Sequence, residues 1–239
     1  MNLEIFLIGI VVFFASILQG MFGFAFMLVA LPFLSYFMSI KVAVPLLSLL
    51  FVLTSAIMTF QLRGKFAYRN VMPLLIGALF GIPVGIHFIL EFSERLIKTV
   101  LGILFIVYSV YSLFIRIVPF RLPAWTGYIF GFFSGALGGA FNLTGPPIVL
   151  YISAQQWSKT NTLGSLIFFF FVTSVLVVIF HFVVGNITYY LSFTFLKLVP
   201  FVIAGMLLGS HFFRKINNEN YRKGLFVFLI IMGAMLLIR

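Results

Sequence analysis

The sequence predicts an all-α polytopic membrane protein built from two inverted repeats, each a broken re-entrant helix pair followed by three transmembrane helices. Three observations carry that prediction: the composition, the spacing of the apolar segments, and an internal duplication. With 63% hydrophobic and 8% charged residues and a mean hydropathy of +1.25, the chain lacks the polar groups to cover a water-facing surface. A spanning helix takes roughly 20 apolar residues, so the chain has room for about seven or eight such lengths and no soluble domain.

Breaks in hydrophobicity delimit segments at 4–18, 25–38, 42–60, 70–90, 97–115, 124–137, 141–154, 161–184, 198–213 and 224–238. Four of them, 4–18, 25–38, 124–137 and 141–154, are too short to span, and they fall into two pairs, each joined by a glycine-rich break. Gly20–Tyr36 reads GMFGFAFMLVALPFLSY and Gly135–Tyr151 reads GALGGAFNLTGPPIVLY; at an offset of 115 they share seven of 17 positions, from Gly20/Gly135 and Gly23/Gly138 to Pro32/Pro147 and Tyr36/Tyr151. Self-similarity at that level implies a duplicated unit. Thr54-Ser55 then matches Thr173-Ser174, and Gly81, Gly85 and His87 match Gly205, Gly209 and His211. The first repeat is expected over 1–118 (pair 4–38, helices 42–60, 70–90 and 97–115) and the second over 119–239 (pair 124–154, helices 161–184, 198–213 and 224–238).

Charge selects the topology. If each broken pair dips and returns, ten of the 15 Lys and Arg share one face: Arg63, Lys65, Arg69, Arg116, Arg121, Lys159, Arg214, Lys215, Arg222 and Lys223. A single crossing per pair divides them about evenly, which the positive-inside rule disfavours. Three full spans per half then make the second half enter from the opposite side, the plan of many secondary transporters. The expected location is the cell inner membrane, multi-pass, with both termini outside. No small-residue cleavage site follows the apolar start Leu3–Leu18, so that segment is expected to be retained. Lys197, aligned with Asn70 through Pro200 and Pro73, is expected at the start of a helix, snorkelling to the interface.

The net charge of +11 sits in loops, where cytoplasmic retention explains it without nucleic acid. The absence of cysteine removes disulfides, thiolate metal sites and thiol relays. No P-loop occurs and no cofactor or metal is expected. The four acids Glu4, Glu91, Glu94 and Glu219 map to segment ends, leaving His87, His181 and His211 as the protein groups available for proton coupling. The partners implied are the lipid bilayer and a small anion, with a homo-oligomer an allowed assembly.

The candidate substrate-binding residues are the glycines of the two breaks, Gly20, Gly23, Gly135, Gly138 and Gly139. Glycine lets the backbone leave helical geometry, and irregular backbone at membrane depth is tolerated only against protein or a water-filled cavity. Half-helices are expected to begin near Ala25 and Ala140, each presenting free N–H groups and a positive dipole end suited to an anion. Asn142 and Thr144, opposite Met27 and Val29, are expected just inside the second half-helix, followed by Pro146 and Pro147, which remove donors. Gln19, Ser134, Thr54, Ser55, Thr173 and Ser174 form a second tier of pore-facing candidates, each hydroxyl having as its structural alternative a bond to its own helix. Gly77, Gly81 and Gly85, with Gly205 and Gly209, read as small-residue packing faces with no substrate role.

The paired motifs Gly20–Pro32 and Gly135–Pro147, together with the chain's size and duplicated halves, resemble the sulfite exporter TauE/SafE family of bacterial membrane permeases. The first copy departs from that pattern, with Phe24-Ala25-Phe26 where further glycines are usual. The resemblance implies transport, usually export, of small sulfur-containing or organic anions such as sulfite or sulfonates. The competing readings are a passive anion channel using the same breaks, an intramembrane serine protease using Ser134 and His181, and a membrane scaffold. Gly131-Phe-Phe-Ser134-Gly135 lacks the spacing of a nucleophile elbow, and short loops leave a scaffold little to bind with. The chain is therefore read as not an enzyme.

Overall fold

The computed structural model describes residues 3–62, 68–114, 122–155, 159–212 and 218–238. The described residues form ten helices and no strand: α1 (Leu3–Phe22), α2 (Phe26–Phe37), α3 (Ile40–Gln61), α4 (Tyr68–Glu91), α5 (Glu94–Phe114), α6 (Thr126–Phe141), α7 (Gly145–Ala154), α8 (Lys159–Val183), α9 (Tyr189–Phe212) and α10 (Asn218–Ile238). Helix is the form that satisfies every backbone polar group within one apolar segment. Among the described residues six helices are long and apolar enough to cross a membrane, namely α1, α3, α4, α5, α8 and α9. The cations Arg63, Lys65, Arg116, Arg121, Arg214 and Lys215, and the repeat boundary at 118/119, lie outside the described residues.

Three expectations are corrected. Helix α1 has 20 residues, about 30 Å of length, so it is not too short to span; it continues through Gly20. Helix α6 likewise runs through Gly135, Gly138 and Gly139. Helix α9 starts at Tyr189, so Lys197 lies more than two turns inside it. The polar residues that interrupt hydropathy there are absorbed locally. The Ser192 and Thr194 hydroxyls donate to the Thr188 and Tyr190 carbonyls at 3.2 and 2.9 Å, and the Lys197 ammonium lies 4.3 Å from the centroid of the Phe193 ring.

The helices pack by exchange between the halves. Helix α1 lies against α9 and α6 against α4, while α3 packs on α8 and α5 on α10. Replacing each first-half helix by its second-half counterpart returns the same set of pairs. The glycines make the two exchanged contacts close. A side chain at Gly81 or Gly85 would collide with the carbonyls of Phe132 or Ala136 on α6, and one at Gly205 or Gly209 with those of Phe13 or Ile17 on α1. These are backbone-to-backbone approaches of the kind small residues permit between membrane helices.

At the α3–α8 seam, counterparts meet each other. Ser55 and Ser174 share a hydrogen bond of 3.2 Å, and the Phe51 and Phe170 rings lie 6.2 Å apart. Both pairs are related by an offset of 119. The core surrounds this seam, with Leu46, Leu47, Leu50 and Phe169 fully buried.

Candidate functional site

Each broken pair interrupts its helical path for three residues. In the first, Gly23 ends α1 with φ +85, and its N–H donates to the Gln19 carbonyl at 2.7 Å. Left-handed backbone there is open to glycine without steric cost. The Gln19 side chain stitches the gap: its Oε1 accepts from the Phe26 N–H and its Nε2 donates to the Gly23 carbonyl, both at 3.0 Å. One of the orphan donors opening α2 is thereby consumed.

In the second, Asn142 ends α6 with φ 52. Its N–H donates to the Gly138 carbonyl at 2.7 Å, the single bond by which helices commonly close on a left-handed residue, and the Leu143 N–H donates to the Leu137 carbonyl at 3.2 Å. Asn is among the few non-glycine residues that adopt this conformation readily. The Ser134 hydroxyl reaches across to donate to the Thr144 carbonyl. Gly138 leaves space for the Thr144 methyl group, which occupies the position a Cβ would need.

The break residues Gly23 to Ala25 and Asn142 to Thr144 are 119 apart, the offset that relates Ser55 to Ser174. The same offset pairs Phe13 with Phe132 and Ile17 with Ala136, and so superposes the two sets of glycine contacts. The offset of 115 read from the paired motifs is therefore corrected by one helical turn. Asn142 and Thr144 stand opposite Gly23 and Ala25, not Met27 and Val29, and lie in the break itself and not inside the second half-helix, which begins at Gly145 and not near Ala140.

The two breaks meet. A crevice of about 10 Å³, room for about one water, is lined by Phe24, Met27 and Leu28 from the first break and by Asn142, Leu143, Thr144, Gly145 and Pro146 from the second. Phe51 and Phe170 close it at the seam and Tyr108 at the α5 side. Among the described residues no charged side chain lines it. The first turns of α2 and α7 both contribute to its wall, so two helix N-termini adjoin it. Pro146 and Pro147 supply no N–H, and Gln19 occupies that of Phe26, which leaves side-chain donors more of the task than the two half-helices alone suggest.

Asn142 is the exceptional member. It is 2% exposed, and neither its Nδ2 nor its Oδ1 has a hydrogen-bond partner. An unpaired buried polar group costs about 1–3 kcal/mol, so a side chain held with both amide atoms unpaired at the meeting point of two helix ends is disposed to bind a polar ligand.

The other sequence candidates divide. Gly20, Gly135 and Gly139 are helical and face the backbones of α9 or α4, so closeness of helix packing accounts for them. The Thr54, Ser55, Thr173 and Ser174 hydroxyls donate to carbonyls of their own helices at 2.7 to 3.0 Å and do not line the crevice. His181 is buried, with Nδ1 3.0 Å from the Asn186 amide, and lies outside the crevice lining, as does Ser134. The aromatic wall of Phe24, Phe51, Phe170 and Tyr108 was missed; extending the Thr54/Thr173 match three residues back would have found the Phe51/Phe170 pair. Among the described residues no group of His, Cys, Asp or Glu is placed to hold a metal ion.

The mouth of the second pair is also tied. The Gln155 side chain donates to the Leu122 carbonyl at 3.1 Å, and the Phe130 and Tyr151 rings lie 5.7 Å apart. The end of α7 thus returns beside the start of α6.

The sequence profile described as "Sulfite exporter TauE/SafE" matches residues 8–236. The chain is also similar to a Cupriavidus necator protein described as "Probable sulfite/organosulfonate exporter TauE", with 28% identity over 176 residues, 72% of this chain and 68% of that protein. No solved structure matches.

Proposed function

The chain belongs to the sulfite exporter TauE/SafE family, and from that premise we propose that it is a secondary transporter, working as an exporter, of a small sulfur-containing or organic anion such as sulfite or a sulfonate. The anion is held near the membrane midplane between the two helix breaks. The observation that carries this reading is Asn142, buried with both amide atoms unpaired in a crevice walled by both breaks. The Nδ2 donates to the anion, assisted by the helix ends of α2 and α7, whose partial positive charges favour it without a buried cation to desolvate.

Inverted repeats in the cell inner membrane, with both termini outside, supply the moving parts. Support comes from the exchange of helix partners between halves and from the return of α7 beside the start of α6. The crevice has room for only about one water, which favours a transporter that opens to one side at a time over a passive channel with a standing pore.

The test is flux of radiolabelled sulfite and simple sulfonates in proteoliposomes, with and without an imposed pH gradient. Saturable, gradient-dependent flux with counterflow is expected. Non-saturable flux without counterflow would make the protein a channel, and absence of flux for every sulfur anion by folded protein would overturn the cargo assignment.

A further inference from the structure

Asn142 shares its condition with one other nitrogen-bearing side chain. Among the described residues, three hydroxyls aside, the buried polar atoms without a hydrogen-bond partner belong to Asn142 and to His181, whose Nε2 is unpaired in a fully buried side chain. His181 lies in the last turn of α8. Gly185 turns the chain there with φ +76, and the Asn186 N–H closes on the His181 carbonyl at 2.9 Å, with the Asn186 amide nitrogen 3.0 Å from the imidazole Nδ1. A carboxamide carries a donor and an acceptor side by side. By turning over, Asn186 bonds Nδ1 whether or not that nitrogen holds a proton.

One face of α8 connects this residue to the crevice. Phe170, Ser174, Val177 and His181 follow one another at helical spacing and are all buried. Phe170 walls the crevice, and Ser174 meets Ser55 of α3. Val177 packs with Ile82 and Ile86 of α4, and its methyl lies 3.9 Å from the position a Cβ on Gly138 would take. His181 comes one turn later, between the second break and the end of α8. The register of 119 sets Leu62, the C-cap of α3, opposite His181, so this position is titratable in one half and apolar in the other.

No other ionisable group competes for the role. Helix α8 packs on α3, α4, α6 and α7. On those helices Lys41 donates to the Leu90 carbonyl at 2.7 Å, Arg69, His87, Glu91 and Tyr128 are exposed, and Tyr151 lies against Phe130. None of these side chains bonds His181, whose hydrogen-bond partner is Asn186.

Resting on the transporter reading above, we propose that His181 is the residue that carries the proton in coupled transport. Its imidazole takes up one proton and becomes imidazolium while the crevice is open to one side of the membrane, and returns that proton as neutral imidazole while the crevice is open to the other. Asn186 holds Nδ1 in both forms, and Nε2 is left for the water that enters on opening.

The experiment compares two fluxes of radiolabelled sulfite by the full chain in proteoliposomes: accumulation driven by an imposed pH gradient, and counterflow at equal pH on both sides, which needs no net proton movement. The unaltered protein is expected to show both. His181→Asn and His181→Gln, polar and without a titratable group, are expected to lose accumulation and keep counterflow; either serves where the other is not recovered monodisperse. Asn186→Ala, which leaves the imidazole in place, is expected to keep both fluxes and to melt at a lower temperature.

Accumulation retained by the His181 variants overturns the proposal, because the proton then travels on sulfite or on another group. Loss of counterflow together with accumulation in folded variants overturns it too, as does loss of accumulation in Asn186→Ala, since the geometry of the helix end would then account for the effect. Counterflow without accumulation in the unaltered protein removes proton coupling and leaves the transporter reading standing. Absence of both fluxes overturns the sulfur-anion reading and the proposal with it.

Discussion

Asn142 combines two roles that substitution can separate. Its backbone ends α6 in a left-handed turn at φ 52, while its amide is left unpaired in the crevice. Asn142→Gly keeps the turn at no steric cost and removes the amide. Asn142→Ala removes the amide and adds roughly 1–2 kcal/mol of left-handed strain. A hydrogen bond to a charged ligand contributes about 1.5–3 kcal/mol, so both variants are expected to weaken anion transport by about 10- to 100-fold, measured as half-saturation of proteoliposome flux, with the glycine variant retaining the apo melting temperature. Normal transport by Asn142→Gly would remove the side chain from the site. Gln19 is the contrasting case, with both ends of its amide engaged across the first break. Gln19→Leu strands the Phe26 N–H and the Gly23 carbonyl, so it is expected to lower stability by about 1–3 kcal/mol per stranded group, read as a lower melting temperature in detergent. Residue chemistry was thus legible where the type was unusual: Asn142 and Pro146, singled out by type, both line the crevice. Gly20, Gly135 and Gly139 misled because one residue type serves both a helix break and a close helix contact, and only the neighbouring backbone distinguishes the two.

At the scale of elements, glycine spacing sets how closely α4 meets α6 and α9 meets α1. Because a side chain at Gly81 or Gly139 would strike a carbonyl of the facing helix, Phe132 or Ile82, the helices must separate to admit one. Overpacking in cores costs about 1–3 kcal/mol even where side chains can yield, and backbone yields less. Gly81→Val and Gly139→Val are therefore expected to lose most of the folded, monodisperse protein on size-exclusion chromatography. Gly224→Ala is the matched control, since nothing lies within 4 Å of its Cβ position, and it is expected to gain about 1 kcal/mol of helix propensity. If the Val variants were recovered as well as the control, glycine packing would not govern the exchange of helices. The element boundaries show why hydropathy alone placed the breaks a turn early: α1 and α6 stay helical through their glycines, because a helix flanked by another backbone at contact distance has no reason to unwind. The true interruptions fall where left-handed backbone is adopted, at Gly23 and Asn142. Polar residues concealed the first turns of α9 in the same way, their hydroxyls being satisfied within the helix that hydropathy took to begin later.

For the whole molecule, the sequence carried two registers, 115 in the paired motifs and 119 at Thr54-Ser55 and Thr173-Ser174. The motif identities at 115 and the helix contacts at 119 differ by four residues, one turn, and a whole-turn slip leaves apolar residues on nearly the same helix face. Identity counting has little power against such a slip, whereas the Ser55–Ser174 contact belongs to the register of 119. The sense of the duplication, parallel or inverted, is decided by the membrane faces of the loops. The absence of cysteine makes single engineered cysteines a clean reporter, since any labelling comes from the introduced thiol. In an inverted arrangement with three full spans per half, Lys65→Cys and Lys215→Cys react with an impermeant thiol reagent from the same face, the cytoplasmic one, and Arg95→Cys reacts from the other. The positive-inside bias behind that assignment is a property of loops near span ends, so it is independent of the helix contacts that define the repeat. Lys65 and Lys215 labelling from opposite faces would leave the packing intact and end the inverted arrangement. The two halves could not then open the crevice alternately to either side by rocking about the α3–α8 seam, and a different motion would have to carry the anion across.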